Sequence, residues 1–226
     1  MRYSNILQRL VLVTDEKNLS VINPKTKKVE LGIKNDVGGR IRDFRLLGKQ
    51  DNRGVLITQD CHVILFSLGE NQKEGIVDSF KIEKFEERKE SGQSIAVSDN
   101  GEYVLVELQI WVDPHPCSRM FVFQVNGHSL VKKAILDLLS QGIGFKSALE
   151  FCGYAGSYIV WIGLSKQDNG PAQLYTYDTE GGELKELEDQ RVNHQEFYPW
   201  RLHPLNGKYY FIGCNAQLMC LSLSNE

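Results

Sequence analysis

Ser98-Asp99-Asn100-Gly101-Glu102-Tyr103-Val104-Leu105-Val106 passes from a polar turn into a run of β-branched, aromatic and leucine side chains. Those residue types fit a pleated, half-buried surface, so the stretch reads as a turn feeding a strand. The same order recurs along the chain. Gly54 precedes Val55-Leu56-Ile57-Thr58, Gly156 precedes Tyr158-Ile159-Val160-Trp161-Ile162, and Gly207 precedes Tyr209-Tyr210-Phe211-Ile212. The spacing between these glycines is about fifty residues, and a period of that length filled with strands marks a blade-like repeat. Leu10-Val11-Leu12-Val13-Thr14 is a further copy without its glycine. Runs this continuously apolar predict strands covered on both faces.

A second landmark keeps the same time. Each apolar run is followed by another strand: Leu19 to Asn23, Val63 to Ser67, Met120 to Gln124, Leu174 to Asp178 and Leu218 to Ser222. Before each glycine stands a first strand, at Ile41 to Leu46, Ser94 to Ser98, Ala148 to Cys152 and Trp200 to His203. Ragged outer strands follow at Lys28 to Ile33, Ile76 to Ile82 and Glu183 to Leu187. Four antiparallel strands per unit at this repeat length make one β-propeller blade, and the period favours that over a sandwich. The predicted fold is all-β and β-propeller-like, a single domain over 1–226 with about five four-stranded antiparallel blades.

Two segments carry a family resemblance. Ser98 to Val106 resembles the serine-aspartate-glycine turn between the first two strands of a WD-repeat blade. Leu174-Tyr175-Thr176-Tyr177-Asp178-Thr179-Glu180-Gly181-Gly182 is similar to the stretch closing the third strand, and Asn18 to Lys28 is a weaker copy. No tryptophan-aspartate pair occurs. The resemblance is therefore to a degenerate member of the wider WD-repeat-like propeller superfamily.

The strand count bears on closure. The first unit reads as starting at its second strand, after Met1 to Leu7, and the last as stopping at its third. Two readings follow, an unusual five-bladed ring or an arc of a larger propeller, and the arc is favoured. An arc has open sheet edges, which invite pairing with another chain.

At 226 residues, 42% hydrophobic and 24% charged, the composition is that of an ordinary globular domain. A net charge of −3 with scattered basic residues gives no electrostatic case for nucleic acid. The run from Lys81 to Glu90 alternates sign and reads as a solvated connection. No apolar run is long enough to span a membrane, and the first residues lack the apolar core of a signal peptide. Five cysteines without paired spacing point to reduced thiols in a cytoplasmic or nuclear compartment.

Two interruptions of the repeat are the functional leads. Glu107 to Arg119 is a long hairpin whose tip, Trp111-Val112-Asp113-Pro114-His115-Pro116-Cys117, offers Trp111, Asp113 and His115 as contact residues. Its two prolines suit a loop that does not extend the strands. The equivalent hairpin of the next unit, Gly163 to Gln173, adds Lys166, Asp168 and Asn169 on the same rim. The second interruption, Ser129 to Gly142, carries helical and strand signals together, and is read as a strand followed by a helical turn.

No nucleophile elbow, metalloprotease histidine pair or phosphate loop is present, so no catalytic residue, cofactor or metal is assigned. The favoured reading is a non-catalytic scaffold binding a protein or peptide through its rim loops. The alternative is a propeller-type hydrolase or carbohydrate-binding module with a central-channel site. The lack of a repeated Asp or His at equivalent strand starts favours the scaffold.

Overall fold

The computed structural model describes residues 1–4, 8–48, 50–69, 75–84, 89–98, 100–111, 116–137, 143–144, 158–165, 172–178, 182, 184–192, 203–205, 208–212 and 218–221. All the regular structure among them is β. The first sheet contains β1 (Arg2–Ser4), β2 (Arg9–Thr14), β3 (Asn18–Ile22) and β4 (Val29–Lys34). The second holds β5 (Ile41–Leu47), β6 (Gln50–Thr58), β7 (His62–Ser67) and β8 (Gly75–Lys81). The third runs through β9 (Lys89–Val97), β10 (Tyr103–Trp111), β11 (Pro116–Asn126) and β12 (Ser129–Asp137). A fourth follows with β13 (Ile143–Gly144), β14 (Tyr158–Ser165), β15 (Ala172–Asp178) and β16 (Leu184–Val192). The fifth shows β17 (His203–Leu205), β18 (Lys208–Ile212) and β19 (Leu218–Leu221). Every sheet is an antiparallel meander in chain order, and the sheets are open, in keeping with a partial propeller.

Face-to-face packing of successive sheets follows from the two-residue period of the strands. In β6, Leu56 points to one side with Ile64 and Phe66 of β7. There it meets Val11, Leu19, Val21 and Ile33 of the first blade. Val55 and Ile57 point the other way with Val63 and Leu65. They pack on Ile95, Val104, Val106, Leu108, Phe121 and Phe123 of the third blade. The second blade is thus buried on both faces, which is why its sequence is nearly continuously apolar.

The quoted turn behaves as its sequence predicts. The Tyr103 amide donates to Ser98 Oγ at 2.9 Å, and the Gly101 amide donates to the Ser98 carbonyl at 2.8 Å. Gly101 has φ +74, and a Cβ there would lie 3.0 Å from the Leu47 carbonyl oxygen of the second blade. The turn needs glycine for its conformation and for the closeness of the neighbouring blade.

Several expectations are corrected. The first blade is not headless, because Arg2–Ser4 pairs with Arg9–Val11 as its first strand. Gly54 is not in a turn: it lies inside β6 opposite Leu46 and Phe66, and a Cβ would sit 2.3 Å from Phe66 Cζ. The Phe66 ring occupies the space that a side chain would fill. The end of the charged run is strand, since Lys89 and Glu90 open β9. The long hairpin is mostly extended ladder, with Glu107 to Trp111 paired against Pro116 to Met120. Pro116 lies at the end of that ladder, where its missing donor is tolerated. The strand reading of Ser129–Asp137 holds, while the helical turn expected after it falls outside the described residues. The strand expected at 148–152 also lies outside them, and in the fourth blade Ile143–Gly144 pairs with β14. The last blade's first strand is described from His203 onward, later than Trp200.

Candidate functional site

The hairpins joining second to third strands share one end of the blades, together with the loops that enter each first strand. In the second blade this end is organised around Asp60. Thr58 Oγ1 donates to Asp60 Oδ1 at 2.6 Å, the Gly39 amide donates to the same oxygen at 2.8 Å, and His62 Nδ1 lies 3.4 Å from Oδ2. Partial burial alone would raise the Asp60 carboxyl. Hydrogen bonds from Thr58, Gly39 and His62 outweigh that and lower it to about 2. The carboxylate therefore ties the β6–β7 turn to the loop entering β5.

Beside it, the segment around Arg40 is fixed from both sides. The Ile41 amide donates to the Glu16 carbonyl at 2.6 Å, and the Gln59 amide donates to the Arg40 carbonyl at 2.7 Å. The Arg40 guanidinium pairs with the Glu16 carboxylate. Two clefts open on either side of it. The larger, about 570 Å³, is lined by Val13, Asp15, Glu16, Arg40, Ile41, Arg42 and Gln93. The smaller, about 360 Å³, is lined by Lys17, Gly39, Arg40, Gln59, Asp60, Lys84, Glu90 and Ser91. Arg40 lines both, so the two form one divided depression over three blades. Their sizes fall in the range of ligand-binding clefts.

Below the smaller cleft the charges are buried. Glu90 of β9 pairs with Arg119 of β11, and their side chains are 0% and 5% exposed. Arg119 also lies 5.5 Å from the centroid of the Phe121 ring. Cys61, at the adjoining turn, is a buried free thiol that desolvation pushes up to about 11, so it stays protonated at neutral pH. Among the described residues no group of three or more His, Cys, Asp or Glu is arranged to hold a metal ion.

Of the predicted contact residues, Trp111 alone can be placed. It ends β10, paired with Lys89 and Pro116, and is 58% exposed. Its neighbour in the ladder, Lys89, directly precedes Glu90 and Ser91 of the smaller cleft. Asp113, His115, Lys166, Asp168 and Asn169 lie outside the described residues. Sequence reasoning missed Arg40, Asp60, Glu90 and Arg119. A signal existed for Arg119, a charge set directly against the apolar run Met120 to Phe123. For Arg40 nothing in the local pattern distinguishes it from other loop arginines.

No family model matches the chain, and no curated protein matches it. Solved structures do. Chaetomium thermophilum Sqt1 superposes with a TM-score of 0.64 at 13% identity, over 98% of this chain and 57% of that one. The β-propeller domain of Myceliophteria thermophila Cps50 (Swd1) gives 0.58 at 11%, over 98% and 82%. Pseudomonas aeruginosa periplasmic gluconolactonase PpgL gives 0.60 at 12%, over 99% and 56%. The fold is a β-propeller. The chain spans little more than half of the length of Sqt1 and PpgL. In propeller terms, β1, β5 and β9 are first strands of consecutive blades, and the divided depression lies where the first three blades meet.

Proposed function

We propose that this chain is a non-catalytic interaction scaffold of WD-repeat-like type, which binds a protein or peptide on the face holding the divided depression. The observation that carries this is the pair of clefts sharing Arg40, with the exposed indole of Trp111 beside them. An exposed tryptophan and arginines on a rigid rim are the residue types that dominate binding energy at interfaces. Asp43 on β5 supports the same reading. It is held by the Ile95 amide at 3.2 Å and lies near Arg2 and Arg45, at 3.9 and 3.6 Å. Glu107 accepts from Ser94 Oγ at 2.5 Å. These carboxylates join strands and blades rather than converge as acid and base.

The test is selection of displayed peptides on the immobilised full chain, followed by a hydrogen-exchange footprint of the winners. Binding should protect 40–42, 59–61 and 89–93, and Arg42→Glu should weaken it about tenfold or more. Binders that protect only the opposite ends of the blades, or that ignore Arg42→Glu, would overturn the reading.

A further inference from the structure

The larger cleft takes two of its side chains from interruptions of the strand ladders. In β5, Ile41 pairs with Thr58 and Asp43 with Ile57, so Arg42 is an extra residue on that strand. In β9, Ser94 pairs with Glu107 and Gly92 with Leu108, and Gln93 is the extra residue there. The two positions correspond, each lying two residues before a buried core side chain, Phe44 or Ile95. Both are β-bulges, which re-aim a side chain out of the regular ladder. Arg42 and Gln93 are exposed, and both line the cleft of about 570 Å³.

Each bulge is held on both sides. The Ile41 amide donates to the Glu16 carbonyl at 2.6 Å, and the Asp43 carboxylate accepts from the Ile95 amide at 3.2 Å. Around Gln93, the Gly92 amide donates to the Gln59 carbonyl at 3.2 Å, and Ser94 Oγ donates to Glu107 at 2.5 Å. The backbone carrying the two side chains is thus fixed before a ligand arrives, which lowers the ordering cost of binding.

The charges of the lining narrow the ligand chemistry. Glu16 and Arg40 neutralise each other. The Arg42 guanidinium forms no ion pair or side-chain hydrogen bond with any described residue. Its planar fork matches the two oxygens of a carboxylate, and the Gln93 amide is a further donor. An ammonium would meet Arg42 as a like charge, with Asp15 on the β2–β3 turn as its one unpaired carboxylate among the lining residues. A phosphate dianion would be repelled by that same Asp15 more than a single carboxylate is.

We propose that the larger cleft receives the side-chain carboxylate of a Glu or Asp in an acidic peptide segment, held by Arg42 and Gln93. The depression continues past Arg40 into the smaller cleft, so a chain can run through it, which favours a side chain over a chain end. That the carboxylate arrives on a protein partner rests on the scaffold reading; the pairing with Arg42 and Gln93 does not.

Five short probes separate the alternatives, each titrated into the ¹⁵N-labelled full chain. Four are acetylated, amidated tripeptides with glycine on either side of glutamate, glutamine, lysine or phosphoserine; the fifth is acetylated triglycine with a free carboxylate end. The glutamate peptide should give saturable shifts at the amides of 41–43 and 92–94, with an affinity about tenfold or more above each of the others. Arg42→Gln should weaken it about tenfold at an unchanged melting temperature, and Gln93→Leu gives a second weakened variant if Arg42→Gln does not fold. Asp15→Asn, at φ +51 where asparagine is accepted, should strengthen it about twofold. The proposal is overturned if the glutamate peptide gives no saturable shift, if another probe binds as well, if a folded Arg42→Gln or Gln93→Leu variant responds unchanged, or if Asp15→Asn weakens binding. Displayed peptides that footprint on this face without any acidic preference sink this inference and leave the scaffold reading standing. Selective uptake of the glutamate probe without any displayed binder does the reverse.

Discussion

The Asp43 carboxylate on the first strand of one blade accepts a hydrogen bond from the Ile95 amide on the first strand of the next, at 3.2 Å. Arg45 returns the contact by donating from Nε to the Ile95 carbonyl at 2.9 Å. Two side chains of β5 thus satisfy both backbone groups of one residue across a blade boundary. Inner first strands have no partner strand on their channel side, so their edge groups need such substitutes.

Asp43→Ala leaves the Ile95 amide without its acceptor and removes the carboxylate beside Arg45. The expected loss is about 1–3 kcal/mol of unfolding free energy, read from urea denaturation. Asp43→Asn keeps an acceptor oxygen and should lose less. Equal losses in the two variants would show that the amide contact contributes little.

The Glu90–Arg119 pair makes a sharper contrast. Removing one member strands a buried charge, so Glu90→Leu or Arg119→Leu alone should each cost about 3–5 kcal/mol. The double variant should recover much of that loss, because no unpaired charge remains and the site already adjoins an apolar cluster containing Leu108 and Phe121. A double-mutant cycle in denaturant measures the coupling. Additive losses would mean that the two side chains do not act as a pair.

At Gly92 the backbone of the third blade runs close against the second, its amide donating to the Gln59 carbonyl at 3.2 Å. A Cβ there would lie 2.2 Å from the Thr58 carbonyl oxygen, a backbone atom that cannot step aside. Gly92→Ala should therefore cost about 1–3 kcal/mol by forcing the strands apart. Gly32→Ala is the control, since nothing lies within 4 Å of a Cβ at that position. Thermal unfolding of both variants decides it, and a neutral Gly92→Ala would contradict the close approach.

Asp60 makes stability depend on acid. Its folded carboxyl is lowered from 3.8 to about 2, so its contribution is present above pH 3.8 and is lost as pH falls toward 2. Asp60→Asn should flatten the fall in stability across that window, measured by denaturant midpoints at a series of pH values. An unchanged slope would remove Asp60 as its source.

Much of the scaffold was legible in the chain. The β6, β7, β10 and β11 segments are apolar on both faces because blades cover them on both sides, and that pattern survives any shift in strand ends. The Ser98 to Tyr103 turn was equally readable, since its hydrogen bonds are local. Gly54 misled because a glycine before an apolar run looks alike in a turn and in a strand; the space it vacates is claimed by Phe66, twelve residues on. Arg2–Ser4 escaped notice because three residues are too few to show a period.

The candidate site was less accessible. Trp111 was marked by breaking the repeat, but Arg40, Asp60 and Glu90 come from different blades and turns. By itself, the sequence determined the all-β class, the blade period and the alternation of faces, because these depend on neighbours along the chain. Only the tertiary structure decided which charges are buried, where Gly92 must remain small, and that Arg40 divides two clefts. Those outcomes depend on distances between segments far apart in sequence, which no local pattern encodes.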